Sequence, residues 1–433
     1  MEILDLIVTP VALADPPLRN APGVHEPYAT RAIVEVIGED GLSGVGEVAC
    51  DSRTLDEFAR VRDLVVGRHA LHLTSLGRDV AARLGAPAEG DPVFRQHGLG
   101  QVRSLRAARV AGALEVAALD LAGKALGVPV AELLGGRVRE AVPFSAYLFY
   151  KYAGGGGEAD DVRPDRYGEA RDPEALVRQA RQMVAEYGFR SIKLKGGVLP
   201  PEAEIATIRL LRDVFGPDVP LRIDPNCAWG VETSLAVGRA LAGVLEYFED
   251  PAPGIEGMAA VRAGLLAEGI EMPLASNMAV TGFVDLPETV ARDAAQVILG
   301  DHHYWGGPRA ITELGRLCET FGLGLSMHSN SHLGVSLMAM THVAAATPHL
   351  TYDCDTHYPW LHDEDEVVAG GKIPIVDGRV QVPTAPGLGI ELDRDRLARG
   401  HERYRLIPYR DRDDAGEMRR RYDPAWELRI PRW

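Results

Sequence analysis

From about residue 142 onward, short β-rich runs alternate with helical stretches. The runs are VPFSAYLFY, FRSIKLK, PLRID, LEYFED, MPLASN, AQVILGD and GLGLSMHS, and DPEALVRQARQMVAEYG is typical of the helices between them. Strands alternating with helices over this length call for parallel βαβ units. About eight repeats favour a sheet closed into a ring over an open one. The predicted class is therefore α/β, a modified TIM barrel of the (β/α)7β kind. TPHLTYD is the candidate for its last strand.

A barrel of roughly 250 residues leaves much of a 433-residue chain to build something else. Residues 1 to about 50 read as strands, with TRAIVEVIGEDGLSGVGEV forming a hairpin around Gly-Glu-Asp-Gly. The Pro-rich DPPLRNAPGVHEPYATR before it reads as a loop and a candidate lid. Residues from about 54 to 135 read as helical and end at Gly127-Val-Pro129. The glycine run Gly154 to Gly157 lacks the Lys and helix of a phosphate-binding loop and reads as a flexible loop.

A net charge of -16 excludes nucleic-acid binding by bulk attraction. The same charge repels anionic substrates, so an acid could bind only where a metal or a local Lys/Arg cluster reverses the field. Cys50, Cys227, Cys318 and Cys354 are scattered without zinc spacing. No signal peptide and no membrane-spanning stretch is visible. Together these features predict a cytoplasmic protein with free thiols.

The strand ends carry the chemistry. SIKLK ends in Lys193 and Lys195, LRIDPN in Asp224 and Asn226, and YFED contains Glu249. LASN ends in Asn277, VILGD in Asp301 and LSMHSN in His328. A strand buried on both faces should be apolar throughout. Any one of these residues alone reads as a turn former, a solvated lysine or a satisfied core histidine. Six consecutive strands ending alike do not, because the C-terminal ends of barrel strands meet at one mouth, where active sites sit.

Asp224, Glu249 and Asn277 offer three hard oxygen ligands from adjacent strands, a set that suits Mg²⁺ over zinc. Two carboxylates and a neutral amide cancel the metal's charge. Lys193 and Lys195 point to one face of their strand. Two ammonium groups in proximity are expected to lower a lysine pKa toward the working pH and make Lys195 a general base. His328 is the second base, with Asp301 fixing its tautomer. Two bases flanking a metal suit proton abstraction alpha to a carboxylate, followed by loss of a β-hydroxyl.

The order KxK, DPN, ED, SN, D and HSN resembles the enolase superfamily. Asparagine at the third metal position, with the blocks SIKLKGGV, RIDPNCAWG, SMHSNSHLGVSLMAMTHVAAATP and DTHYPW, is similar to its glucarate dehydratase family. The resemblance implies that Asp224, Glu249 and Asn277 bind Mg²⁺, that Lys195 and the His328–Asp301 pair are the bases with Lys193 beside them, and that Asn226 meets the substrate near the leaving hydroxyl. It also implies substrate contacts from Asn20 and His25 in the first loop, from Tyr147, Phe149 and Asn330, and from His357 and Arg412 at the distal end. The substrate implied is a small dicarboxylic acid sugar, D-glucarate or its epimer L-idarate. The implied architecture is an α+β capping domain from residues 1–140, a barrel over 141–384 and a segment over 385–433 returning to the cap. A homo-oligomer stays open.

Three features depart from the family pattern. Gly112 stands where a substrate-contacting Thr is typical, which leaves either water in place of its hydroxyl or a different preferred diastereomer. ACDSRT replaces a glycine-rich stretch, and the tail DPAWELRIPRW follows only loosely. They leave open dehydration of another acid sugar such as galactarate, epimerisation, or a non-catalytic paralogue. A barrel metallohydrolase would need a histidine pair on the first strand, and VPFSAYLFY has none.

Overall fold

The apolar runs between the polar strand ends become the staves of one parallel sheet. A computed structural model of the protein describes residues 1–85 and 105–433. The helical reading over 54–135 thus includes a stretch, 86–104, outside the described residues. β5 (Ala146–Phe149), β6 (Ile192–Lys195), β7 (Leu221–Asp224), β8 (Tyr247–Glu249), β9 (Leu274–Ser276), β10 (Val297–Gly300) and β11 (Gly324–Met327) pair in that order. Every pair is parallel. Nearly every residue in these strands is buried, as a sheet covered on both faces requires.

The expected last strand takes an irregular form. Thr351 and Tyr352 donate backbone N–H groups to Leu325, and Asp355 donates to Met327. On the other side Cys354 donates to Pro143, and Ser145 donates to Cys354. The segment thus hydrogen-bonds to β11 and to the lead-in of β5, joining the two edges of the curled sheet. VPFSAYLFY likewise divides: β4 (Ala141–Pro143) leaves the barrel and pairs antiparallel with β12 (Arg379–Gln381).

The helices between the strands have recognisable ends. Helix Pro173–Tyr187 starts at Asp172, whose side chain accepts from the Ala175 N–H, and stops at a left-handed Gly188. Its buried Gln179 exchanges hydrogen bonds with the Phe149 backbone of β5, both 3.0 Å.

β1 (Ile3–Ala14), β2 (Tyr28–Gly38) and β3 (Ser43–Ala49) form an antiparallel meander, with the predicted hairpin between the last two. Helix Arg106–Leu126 lies on β3, and helix Arg394–Leu406 lies on β1. Glu47 of β3 accepts from the backbone N–H of Leu333 and Ser336, 2.9 and 2.8 Å. It thereby satisfies the first turn of helix Gly334–Ala346, which follows β11. A buried carboxylate thus joins the meander to the barrel.

Two expectations about glycines need correction. Gly154 to Gly157 is a close-packed loop, not a loose one. Gly156 has φ +90°, and a Cβ there would lie 2.5 Å from the backbone of Asp15. Gly112 leaves no gap for water either: a Cβ would meet the His302 carbonyl oxygen at 2.7 Å. The missing side chain lets a helix lie directly on the turn after β10.

All four cysteines are free and buried. No helix among the described residues is long and apolar enough to cross a membrane.

Candidate active site

Strand register fixes the floor of the site. Tyr147 pairs with Lys193, Phe149 with Lys195, and Lys195 with Asp224. Glu249 ends β8, Asn277 follows β9, Asp301 follows β10 and His328 follows β11. A cavity above this end is lined by Lys195, Asn226, Asn277 and His328 below. Asn20, His25, Tyr147, Phe149, Asn330, His357 and Arg412 also line it. Lys193, Asp224, Glu249 and Asp301 lie beneath that lining, at most 2% exposed.

Lys193 Nζ lies 2.7 Å from Glu249 Oε1, 2.6 Å from Asp355 Oδ2 and 3.7 Å from Asp224 Oδ2. Burial works against its charge, but Asp355 and Glu249 hold its pKa well above the ordinary lysine value. The expected lowering by a second ammonium is therefore not what Lys193 shows. Carboxylates surround it, and they outweigh Lys195. Lys193 does not reach the cavity; it neutralises the acids under the floor.

Lys195 Nζ donates to Asp224 Oδ2 at 2.5 Å and to Asn226 Oδ1 at 2.7 Å. Burial opposes the Asp224 charge, yet Lys195 and Lys193 keep that carboxyl well below the usual range. Tyr147 adds its hydroxyl to Asp224 Oδ2 at 3.3 Å, so this tyrosine serves the floor as well as the cavity wall.

The acids fit a divalent cation. Asp224, Glu249 and Asp250 each place an oxygen within 4.8 Å of the others. Burial and the Asp224 charge push Glu249 well above the usual carboxylate range. Glu249 Oε2 sits 2.6 Å from Lys193 Nζ but out of line, and has no hydrogen-bond partner. The Asn277 amide oxygen faces the Glu249 and Asp250 carboxylates while its nitrogen faces His328 Nε2. A half turn would give both carboxylates a donor, at 3.3 and 2.8 Å. A cation among the oxygens would satisfy them as well. All candidate donors are hard oxygens.

Asp250 is the acid that strand-end reading passed over. It accepts from Ser276 Oγ at 2.7 Å and from the backbone N–H of Asn277 and Met278 at 2.9 and 3.1 Å. Burial and Asp224 push its pKa up to about 6. With three donors committed to it, Asp250 orients the Asn277 loop and leaves the third inner position to the amide.

At the other edge His328 Nδ1 lies 2.9 Å from Asp301 Oδ2, which directs Nε2 into the cavity. Above, His357 Nδ1 meets Ser329 Oγ at 3.1 Å, and its ring packs on Tyr147 and Phe149 at 4.7 and 5.2 Å. Burial, with the neighbouring histidines and Lys195, holds His357 well below the ordinary imidazole value. His25 Nδ1 is 3.0 Å from Asp15 Oδ2. Asn20 donates to Asp414 Oδ2 at 2.6 Å, and Arg412 donates to both Asp414 oxygens at 2.6 and 2.8 Å. Asn330 accepts from Arg31 at 3.2 Å and donates to Tyr304 at 3.1 Å.

Asp355, Asp250, Asp414, Arg31 and His303 all hold site residues and were missed by the sequence reading. Asp355 sits in DCDTH, one residue pair before His357, so the polar run after TPHLTYD was the signal for it.

Residues 175–396 match the family model described as enolase C-terminal domain-like. Residues 4–135 match the N-terminal domain of the mandelate racemase / muconate lactonizing enzyme family. The chain is 48% identical to a probable glucarate dehydratase of Streptomyces coelicolor, over 98% of this chain and 97% of that protein. It is 28% identical to an arabinonate dehydratase of Saccharolobus solfataricus, over 66% of this chain and 70% of that protein. Among solved structures, an enolase from Thermobispora bispora complexed with magnesium and formate matches at 52% identity and a TM-score of 0.92, covering 100% of each chain. An enolase from Pseudomonas fluorescens with bound magnesium, potassium and tartrate matches at 47% identity and 0.92, covering 100% of this chain and 99% of that one.

Proposed function

The chain belongs to the enolase superfamily, and from that membership we propose that it is a divalent-metal-dependent hydro-lyase removing water from an acid sugar, D-glucarate in the first instance. The observation that carries the reading is the order of groups along the sheet. Lys195 on β6 and the Asp301–His328 pair after β10 and β11 flank the oxygen cluster Asp224, Glu249 and Asn277 on the strands between them. The 48% identical probable glucarate dehydratase supports the substrate. The magnesium in two similar structures supports the metal.

Asp224, Glu249 and Asn277 would hold Mg²⁺, with Lys193 fixing the acids and Asp250 the Asn277 loop. When bound, the cation supplies positive charge against the second negative charge that develops on a substrate carboxylate as its alpha proton leaves. His328, its Nδ1 proton given to Asp301, presents Nε2 as the base for the C5 proton of glucarate. Lys195, held by Asp224 and Asn226, serves the opposite face and accepts L-idarate, the C5 epimer. The C4 hydroxyl then leaves as water, with its proton drawn from an acid in the same cavity. The enol left behind becomes 5-dehydro-4-deoxy-D-glucarate. Arg412, His357 and Asn20 would hold the distal carboxylate end.

The test is incubation of purified protein and Mg²⁺ with the aldaric acids, with keto-acid product trapped by semicarbazide. Glucarate and idarate are expected to give signal. Signal from galactarate alone would move the substrate, and epimer without keto acid would replace the dehydratase reading.

A further inference from the structure

Asp301 has two oxygens and two histidines. Oδ2 meets His328 Nδ1 at 2.9 Å, while Oδ1 accepts from both the ring Nδ1 and the backbone N–H of His303, each at 2.8 Å. The far nitrogen of His303 faces donors. Ser336 Oγ lies 3.0 Å from Nε2 and Arg31 Nη2 lies 3.4 Å away. The carboxylate fixes the tautomer: Asp301 Oδ1 can only accept, so Nδ1 carries the proton and Nε2 is left to accept. A proton on Nε2 would find only the Ser336 hydroxyl as an acceptor, and that oxygen already accepts from Arg31 at 3.4 Å. Arg31 is itself fixed, buried at 2% and held to Glu47 at 2.7 Å. It also donates to Asn330, two residues beyond His328.

We propose that His303 is a positioning residue for the His328 base: it pins one oxygen of Asp301 through its Nδ1–H, and Arg31 with Ser336 holds its far nitrogen so that the ring cannot turn away. The other oxygen, Oδ2, is thereby kept aimed at His328 Nδ1, where it meets the imidazolium that forms when His328 takes a proton. Because Arg31 lies on β2 and Glu47 on β3, the orientation of a barrel base depends on how the N-terminal meander is seated. The inference rests on the dehydratase reading for its kinetic arm and on geometry alone for its spectroscopic arm.

Three variants separate the parts of the ring. His303→Asn can place an amide N–H where Nδ1 was, His303→Gln reaches the Nε2 side but not Asp301, and His303→Leu removes both. Each full-length variant with Mg²⁺ is examined for glucarate turnover, for solvent-deuterium exchange into idarate on the Lys195 face, and for the low-field His328 Nδ1 proton in nitrogen-15-histidine spectra. The Leu and Gln variants are expected to lose at least ~10-fold in kcat on glucarate, part of the roughly 10²–10⁴ a positioned base supplies. KM should stay within about two-fold, since the loss falls on a transition-state interaction. Lys195-face exchange should persist, and the His328 Nδ1 proton signal should disappear. The Asn variant should keep most of both. Equal impairment of Asn and Gln would show that packing alone matters and overturn the proposal, as would an unchanged Nδ1 signal in Gln or Leu. If Leu fails to fold, the Asn–Gln contrast decides. If the wild type turns over no acid sugar, the dehydratase reading falls, while the spectra still judge the placement of Asp301.

Discussion

Asn277 differs from its neighbours in that its amide must choose which end faces the acids. On the proposed metal site, Asn277→Ala would remove the third oxygen and leave Asp224 and Glu249 to hold the cation. Titration calorimetry with Mg²⁺ should show at least about ten-fold weaker binding, because even an outer-layer partner of a metal site is worth ~10–100-fold. For His328→Asn, glucarate dehydration should fall by roughly 10²–10⁴, the contribution of a positioned base. Proton exchange at the Lys195 face should survive, as deuterium incorporation into idarate would report. Full glucarate activity in that variant would remove His328 from the mechanism. The residues legible in the sequence were those at the end of a regular apolar run, where a polar group has no packing reason to be. Asp355 escaped because it sits in an irregular segment, where polar residues are ordinary, and His303 because it lies in the four-residue helix His302–Trp305, too short to show a period. Arg31 escaped for a different reason: in β2 a charged residue reads as the solvated side of a half-buried strand, and here that side is covered by the barrel.

Elements were more legible than their ends. Each barrel strand from β5 to β11 was visible as a short run. The division of VPFSAYLFY into β4 and β5 was not, because β4 pairs with Arg379–Gln381, some 240 residues away in sequence. Pairing at that distance leaves no local trace. The close approach of helix Arg106–Leu126 to the turn after β10 was equally hidden, since a glycine in a helix reads only as a weak former. Gly112→Thr, which restores the residue the family resemblance would supply, should therefore not gain a substrate contact. It should push His302 and His303 outward and lower kcat, with overpacking costing about 1–3 kcal/mol in unfolding free energy. Higher glucarate kcat/KM with unchanged stability would refute this.

Helix Gly334–Ala346 carries a second element-scale expectation. His342 sits between the Ala131 N–H, 3.2 Å from Nδ1, and the Leu388 carbonyl, 3.2 Å from Nε2. Burial lowers its pKa to about 4, and that of His332 before the helix to about 4 as well. Both histidines bind a proton more readily when unfolded, so stability is intact above the unfolded value and is lost as pH falls below it toward 4. Between pH 7 and 5 the loss should be of order 2 kcal/mol for each. Thermal melts across that range should show it, and His342→Gln should remove its own share, of order 2 kcal/mol. A Tm independent of pH there would count against both assignments.

At the scale of the whole molecule, the cavity is roofed by segments from opposite ends of the sequence. The Asp15–Pro27 loop accepts and donates across to residues 413–414: Val24 N–H to the Asp414 carbonyl at 3.2 Å, and Asp413 N–H to Glu26 at 3.2 Å. Trp426 adds a bond from its indole to the Pro22 carbonyl at 2.8 Å. Removing residues 412–433 should therefore raise KM for glucarate sharply and loosen the first loop, which limited proteolysis near Asn20 would reveal. A truncated protein with unchanged KM would show that the distal acid is held elsewhere. The sequence showed this roof only through family likeness, since nothing in composition says that two loops 390 residues apart meet. The buried thiols carry one more consequence. Cys227 follows Asn226 and Cys354 precedes Asp355, and both are 0% exposed. Neither can meet an alkylating reagent while the barrel is shut, so the rate at which these sulfurs become modified is a clock for how often the floor of the site breathes open.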